Sequence, residues 1–253
     1  VNPARRHWSP WGLVPVALAL GMWELAARLA PVEDQALFPP FSAVVRELYD
    51  LARSGVLARN FLPSLARVLV GLLAGALFGI LIGAAMGWRR RVGGALRPIL
   101  SLLYPIPALG WLPLLMLWIG VDELLPIAIV FICSFFPICY TTAGGVEGVD
   151  PRYIRAARSL GSSELRTLAT VILPLALPAI FTGLRLEAGM AWRVIIAAEL
   201  VAIPTGIGAL LMRAESLVRV DTIIACLVVL SIMCFAFERT FLLLERRLTA
   251  GWR

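Results

Sequence analysis

Long apolar runs separated by short polar pieces set the pattern of this chain. The runs lie at about 11–29, 61–88, 98–120, 124–143, 173–203 and 222–244. Each is near the roughly 20 residues that an α-helix needs to cross a bilayer. The pattern predicts an all-α membrane protein with six transmembrane helices, forming one domain over 1–253. Between the first two runs, residues 31–60 are polar enough to leave the membrane. There Pro39, Pro40 and Ser42 precede a stretch, about 42–53, in which Val44, Val45, Leu48 and Leu51 share one helical face. Two readings fit it: a helix lying at the membrane surface, or a solvated helix packed on its own protein.

The longest polar interruption, residues 149–178, carries Arg152, Arg155, Arg158 and Arg166 but two acids, Asp150 and Glu164. Its local signals are helix, sharp turn, second helix. Asp150 can cap a helix start with its side-chain oxygen, and Pro151 sits at the first helical position, where its missing N–H costs nothing. Gly161 can take the left-handed conformation that ends a helix, and Ser162 or Ser163 can restart one. Pro174 and Pro178 then fall inside the next apolar run.

Three runs carry further marks. The second holds Gly71, Gly75, Gly79, Gly83 and Gly87, a glycine at every fourth position. Such a series makes a ridge with little bulk, along which another helix can approach closely in lipid. The third is broken by Pro105, Pro107 and Pro113, which remove donors and free carbonyls. In lipid those carbonyls need partners from protein or a wet cavity, so the break reads as a gate, a pathway wall or a packing kink. The fifth holds Arg185, Glu187, Trp192, Arg193 and Glu199. Ionisable groups in a span face a bundle interior or a wet cavity, which makes these residues, with Pro105 and Pro107, candidates for a pathway. They do not form one stripe: at 100° per residue Arg185 and Glu199 fall about 40° apart, while Glu187 and Arg193 point elsewhere. In the first run Glu24 and Arg28 are spaced to pair.

Composition agrees with a membrane protein. The chain is 60% hydrophobic, above the roughly 45–50% of soluble domains. The net charge of +7 sits in clusters between apolar runs, which argues against a nucleic-acid surface; all 23 basic residues are arginine. Cys133, Cys139, Cys226 and Cys234 lie inside apolar runs without metal spacing, and His7 is the one histidine. No metal site and no His-based catalytic site is expected. The segment 1–10 is polar and basic, and the run after it lacks a small-residue cleavage site, so a retained first span is expected. Placing the N-terminus in the cytoplasm gathers Arg5 and Arg6, Arg89 to Arg97, Arg152 to Arg166 and Arg246 to Arg253 on that side. The other side receives Glu33, Asp34, Glu47, Asp50, Asp122 and Glu123. Both termini are then cytoplasmic. No Walker phosphate loop is present, so ATP hydrolysis by that route is excluded for this chain.

With that topology, the polar stretch resembles the cytoplasmic coupling loop, about 147–170, of ABC-importer permeases. The family pattern is Glu-Ala-Ala, three residues, Gly, then about nine residues and Ile-x-Leu-Pro. Here Arg155-Ala156-Ala157-Arg158-Ser159-Leu160-Gly161 is followed by Ile172-Leu173-Pro174. The alanines, glycine and Leu-Pro match; the leading Glu is replaced by Arg155. Trp23-Glu24-Leu25, Phe38 to Val44, Tyr104-Pro105-Ile106-Pro107 through Leu117-Trp118-Ile119-Gly120, Thr182-Gly183-Leu184-Arg185 and Gly206-Ile207-Gly208 are similar to the nitrate, sulfonate and taurine branch. The resemblance implies a type I importer permease fold in a bacterial or archaeal inner membrane. It implies a homodimer, two ATP-binding subunits and an extracytoplasmic substrate-binding protein. ATP and Mg would sit on the partner subunits, with no cofactor on this chain. Coupling would fall to Asp150, Tyr153, Arg155, Ala156, Ala157, Arg158, Leu160 and Gly161. A small organic or inorganic anion is the expected substrate, although the branch also carries aromatic acids, pyrimidine vitamin precursors and riboflavin. A channel or secondary transporter would share the broken helix and buried charges but would not need the coupling loop.

Overall fold

The computed structural model of the chain describes residues 13–31 and 37–249. Arg5, Arg6, His7, Trp11, Glu33, Asp34 and Arg253 lie outside the described residues. Among the described residues every regular element is helical: α1 (Leu13–Leu29), α2 (Phe41–Arg53), α3 (Val56–Trp88), α4 (Arg90–Leu103), α5 (Leu112–Ile119), α6 (Leu124–Glu147), α7 (Pro151–Ser159), α8 (Glu164–Thr167), α9 (Leu173–Ala202), α10 (Ile207–Ser216) and α11 (Val220–Thr249). A tight 3₁₀ turn, Ala108–Trp111, leads into α5, and a π-helical stretch, Leu168–Ile172, joins α8 to α9.

Four helical rods are long and apolar enough to cross a membrane: α3, α6, Glu164–Ala202 and Val220–Arg247. The break expected in the run over 98–120 is present as a sharp bend. The helix begins earlier, at Arg90, and α4 and Ala108–Ile119 meet at a bend of 85°. The cause is local: Pro105 and Pro107 offer no N–H, and each disfavours helical backbone in the residue before it. The chain then turns on the hydrogen bonds Ile106 N to Leu103 O (3.1 Å) and Gly110 N to Pro107 O (2.7 Å). The described part of α1 has 17 residues, about 26 Å at the α-helical rise, short of the ~30 Å hydrocarbon core. The stretch between the fifth and sixth apolar runs contains α10, in which Ile207, Ala209, Leu210, Leu211 and Ala214 are buried.

The chain divides into two units, one drawing on α1, α2 and Leu210–Val228, the other on Arg59–Ala209 and the remainder of α11. In the first, Val44 and Leu51 of α2 pack with Ala225, beside Trp23. These contacts belong to a helix packed on its own protein. Glu24 accepts from Arg28 Nε (2.7 Å) and from the backbone N (3.0 Å) and Oγ (2.9 Å) of Ser42, so one carboxylate ties α1 to the first turn of α2.

In the second unit, α6 lies along α9, and α3 lies against α6 through its five glycines. A methyl group added at Gly71 would stand 2.7 Å from Val130 Cβ. At Gly75 it would stand 2.8 Å from Ser134 Cβ, at Gly79 3.1 Å from Ile138 Cβ, at Gly83 2.8 Å from Thr142 Cβ, and at Gly87 2.7 Å from Val146 Cβ. The partners on α6 also recur every fourth residue, so two ridges meet in register. Opposite, Trp192 is buried between Phe61, stacked at 5.9 Å, and Phe237, edge-on at 5.3 Å.

Gly75→Leu should therefore lower stability by about 1–3 kcal/mol, because that contact has no room for four carbons. Gly144→Ala, on α6 itself but with open space around it, should be neutral or stabilising. Thermal unfolding of the two variants in detergent checks the contrast.

Candidate functional site

Two polar clusters in the second unit stand out. The first is the corner between α6 and α9. Asp150 caps α7: its Oδ1 accepts from Arg152 N (2.8 Å) while its Oδ2 meets the Arg152 guanidinium (2.7 Å). The guanidinium and the backbone N–H of Arg152 hold the Asp150 carboxyl below its ordinary range. Gly161 ends the helix with φ +81, and Ser162 N donates to Ala157 O (3.1 Å), the bond that closes a left-handed helix terminus. Ser163 Oγ then accepts from Arg166 N (3.4 Å) and starts α8.

Between these two stops, α7 stands out from the fold. Ala157 is its one buried residue. Arg152, Tyr153, Arg155, Ala156 and Arg158 are exposed, and Leu160, which follows the helix, is 89% exposed. Arg158 lies 5.9 Å over the ring of Trp88. The nearby acids are already engaged: Glu147 by Arg97, Asp150 by Arg152 and Glu164 by Arg89. Arg155 forms no ion pair among the described residues, although its charge adds to the pull on the Asp150 carboxyl.

The second cluster centres on Arg67 of α3, whose side chain is 2% exposed, and joins the buried Glu199 to the exposed Glu123. Its Nε and Nη2 donate to the two oxygens of Glu123, each at 2.7 Å. Its Nη1 donates to Glu199 Oε1 (2.7 Å) and Thr205 O (2.9 Å), and Nη2 also to Thr205 Oγ1 (2.7 Å). All the N–H donors that a guanidinium carries are thus used. Glu199 is in turn held by Ser64 Oγ (2.8 Å) and by Gly208 N (3.0 Å). Arg67 holds the Glu123 carboxyl, in the turn before α6, below its ordinary range. Gly206 (φ +114) and Gly208 make the approach possible, since a methyl at either would run into Glu199.

The candidate pathway residues are not brought together. Glu199 belongs to the Arg67 cluster, and Trp192 is a core residue. Arg185 sits 3.7 Å from Glu245. Glu187 is buried, with the Cys133 thiol at 3.6 Å. Arg193 is exposed beside Met190 Sδ (3.6 Å). Pro105 and Pro107 lie exposed in the α4–α5 bend. Arg67, Ser64 and Thr205 are absent from the sequence-based candidates. The signal that could have found Arg67 is its place as a charge inside the second apolar run.

The family described as binding-protein-dependent transport system inner membrane component matches residues 55–250. The chain belongs to that family. It is a permease subunit of an ABC importer, a class that works with ATP-binding subunits and a binding protein, and an inner-membrane multi-pass protein. The permease is 37% identical to the taurine transport system permease protein TauC of Escherichia coli over 92% of its length and 86% of the relative's. It is 32% identical to the aliphatic sulfonates transport permease protein SsuC of Bacillus subtilis over 100% of this chain and 91% of that one. The fold matches that of the MetNI methionine ABC transporter, inward facing, with a TM-score of 0.69 at 16% identity, covering 78% of the permease and 98% of that chain.

Removing Arg67 leaves the permease with an uncompensated buried carboxylate. Arg67→Met should cost about 3–5 kcal/mol. Arg67→Met combined with Glu199→Gln should cost less than the sum of the two single changes by about 1 kcal/mol or more. Unfolding midpoints of the four proteins in detergent measure this coupling.

Proposed function

We propose that two copies of this permease form the translocation pathway of an importer for a small sulfonate or related oxyanion, with α7 as the helix through which two ATP-binding subunits drive it. The chain then crosses the membrane six times with both termini in the cytoplasm. The arginine-rich corner faces the ATPases, and the Arg67 cluster lies toward the binding protein. The observation that carries this reading is α7 itself. It is fixed at both ends by Asp150 and Gly161, rests on the fold through Ala157 and the half-buried Ile154, and offers Arg152, Tyr153 and Arg155 outward. Such a helix transmits force only if something outside the chain grips it. The names of the relatives, taurine and aliphatic sulfonate permeases, support the substrate class.

Gly161 has open space around it, so a side chain there acts through the strained left-handed backbone and through the partner's groove. Gly161→Val should lower binding-protein-stimulated ATP hydrolysis and uptake in proteoliposomes by tenfold or more, with Gly161→Asn, which tolerates that backbone, much milder. Arg155→Glu in the same assay should be as damaging as Gly161→Val if the groove opposes Arg155 with an acid. Unchanged coupling in Gly161→Val and Arg155→Glu alike would sink the assignment of α7.

Arg193 has no acid partner among the described residues, whereas Arg185 is near Glu245. For an anionic substrate, Arg193→Gln should therefore reduce uptake more than Arg185→Gln. Equal uptake by both variants and the parent would remove arginine recognition in the fifth span.

A further inference from the structure

The turn between α10 and α11 holds the one non-glycine residue with a positive φ among the described residues, Val218 at +55. It ends α10 as Gly161 ends α7. Val218 N donates to Glu215 O (2.9 Å) and Arg219 N to Ala214 O (2.8 Å), the pair of bonds that closes a left-handed helix terminus. Glycine adopts this backbone freely, and the other positive φ values fall on Gly55, Gly120, Gly161 and Gly206. A β-branched side chain there is strained. The fold needs the backbone, because it carries Arg219 onto the Glu47 carboxylate of α2 (2.6 Å), which also accepts from Thr222 Oγ1 (2.8 Å). It has little use for the isopropyl group, since Val218 is 57% and the adjacent Leu217 70% exposed. Beside them a groove of about 400 Å³ opens between α2 and α10, with Leu51, Ala214 and Leu217 in its wall and Asp50 at its rim. Asp50 is exposed and forms no ion pair among the described residues.

We propose that Leu217 and Val218 form a preshaped apolar tip that docks on the extracytoplasmic binding protein, which meets it with an apolar recess and a basic side chain for Asp50. The inference rests on the reading above, which places the turn between the fifth and sixth spans outside the membrane. Strained residues persist where the structure over-determines them, and they cluster at sites that clamp a partner. Apolar side chains on a fixed backbone lose little freedom on binding, so they add more affinity than mobile ones. The same strain argues against lipid, because a fluid bilayer accepts an apolar side chain from relaxed backbone equally well. The exposed Glu215, Ser216 and Arg219 surround the tip with polar groups, as at the rim of a protein contact. A small anion would use neither apolar side chain, and Asp50 would repel it.

The test uses the importer complex in proteoliposomes with its own binding protein, loaded with taurine. Leu217→Ser should raise the binding-protein concentration for half-maximal stimulation of ATP hydrolysis about tenfold, as for a residue central to a contact. Val218→Gly separates docking from folding. Relief of strain should raise its unfolding midpoint by a few degrees, while its half-maximal concentration rises about threefold or more. A variant that is more stable and docks less well is not a damaged fold. A benzoylphenylalanine photo-crosslinker in place of Leu217 should join the permease to the binding protein. Half-maximal concentrations unchanged in both variants overturn the proposal. Crosslinks to a second permease or to lipid, with none to the binding protein, overturn it too. Failure of α7 as the coupling helix shows instead in the maximal rates of the α7 variants, and a parent complex that its binding protein does not stimulate brings down the importer reading itself, so the failures are distinguishable.

Discussion

The buried guanidinium of Arg67 is the constraint on which the second unit depends. Taking one cation and the Glu199 carboxylate out of water costs several kcal/mol per ion. The permease offsets this by giving every N–H of Arg67 an acceptor. Those acceptors come from the turn before α6, from α9 and from the segment after α9. One side chain on α3 thereby sets the spacing of three separate pieces of chain. The arrangement is all-or-none, because losing one acceptor strands a charge rather than loosening a contact.

At the far end of α3 no such charge is needed. There the glycine ridge brings two backbones together, and the register of Gly71 to Gly87 against Val130 to Val146 fixes the pair by shape. In lipid this is an effective device, since helix association cannot draw on expelling water from apolar surface. Charge at one end and close backbone packing along the length make α3, α6 and α9 a stiff unit. Against it, the 85° bend between α4 and Ala108–Ile119 and the short α7 are the places where direction changes.

Much of this was legible in the sequence, and the limits are physical. The apolar runs at 61–88, 124–143, 173–203 and 222–244 coincide with long helices because length and hydropathy decide a span. The stops of α7 were legible because Asp150-Pro151 and Gly161 act locally. The bend at Pro105 and Pro107 was legible as a break but not as an angle, since its size depends on what α5 packs against. α10 was hidden by Pro204, Gly206 and Gly208, which read as loop; the two glycines serve the approach to Glu199 and say little about the backbone that follows. Arg67 was missed because its partners lie 56 to 138 residues away, and periodicity carries no information at that distance. The resemblance noted at Gly206-Ile207-Gly208 gains a reason from the structure: a carboxylate lies where side chains would be.

The departure at Arg155 can be argued from the same accounting. A surface that couples to a partner must keep some charge unsatisfied within its own chain. At this corner Glu147, Asp150 and Glu164 are each taken by an arginine, and Arg158 rests on Trp88. The surplus falls on Arg90, Arg91, Arg155 and Arg166, all exposed. Arg155 projects from a helix that is held to the fold by Ala157, the half-buried Ile154 and Arg158. That environment suits a groove lined by acids. An acidic groove in the ATP-binding subunit would also reverse the sense of the pair that a glutamate at this position makes, which is the smallest change that keeps the shape of the contact while changing its specificity.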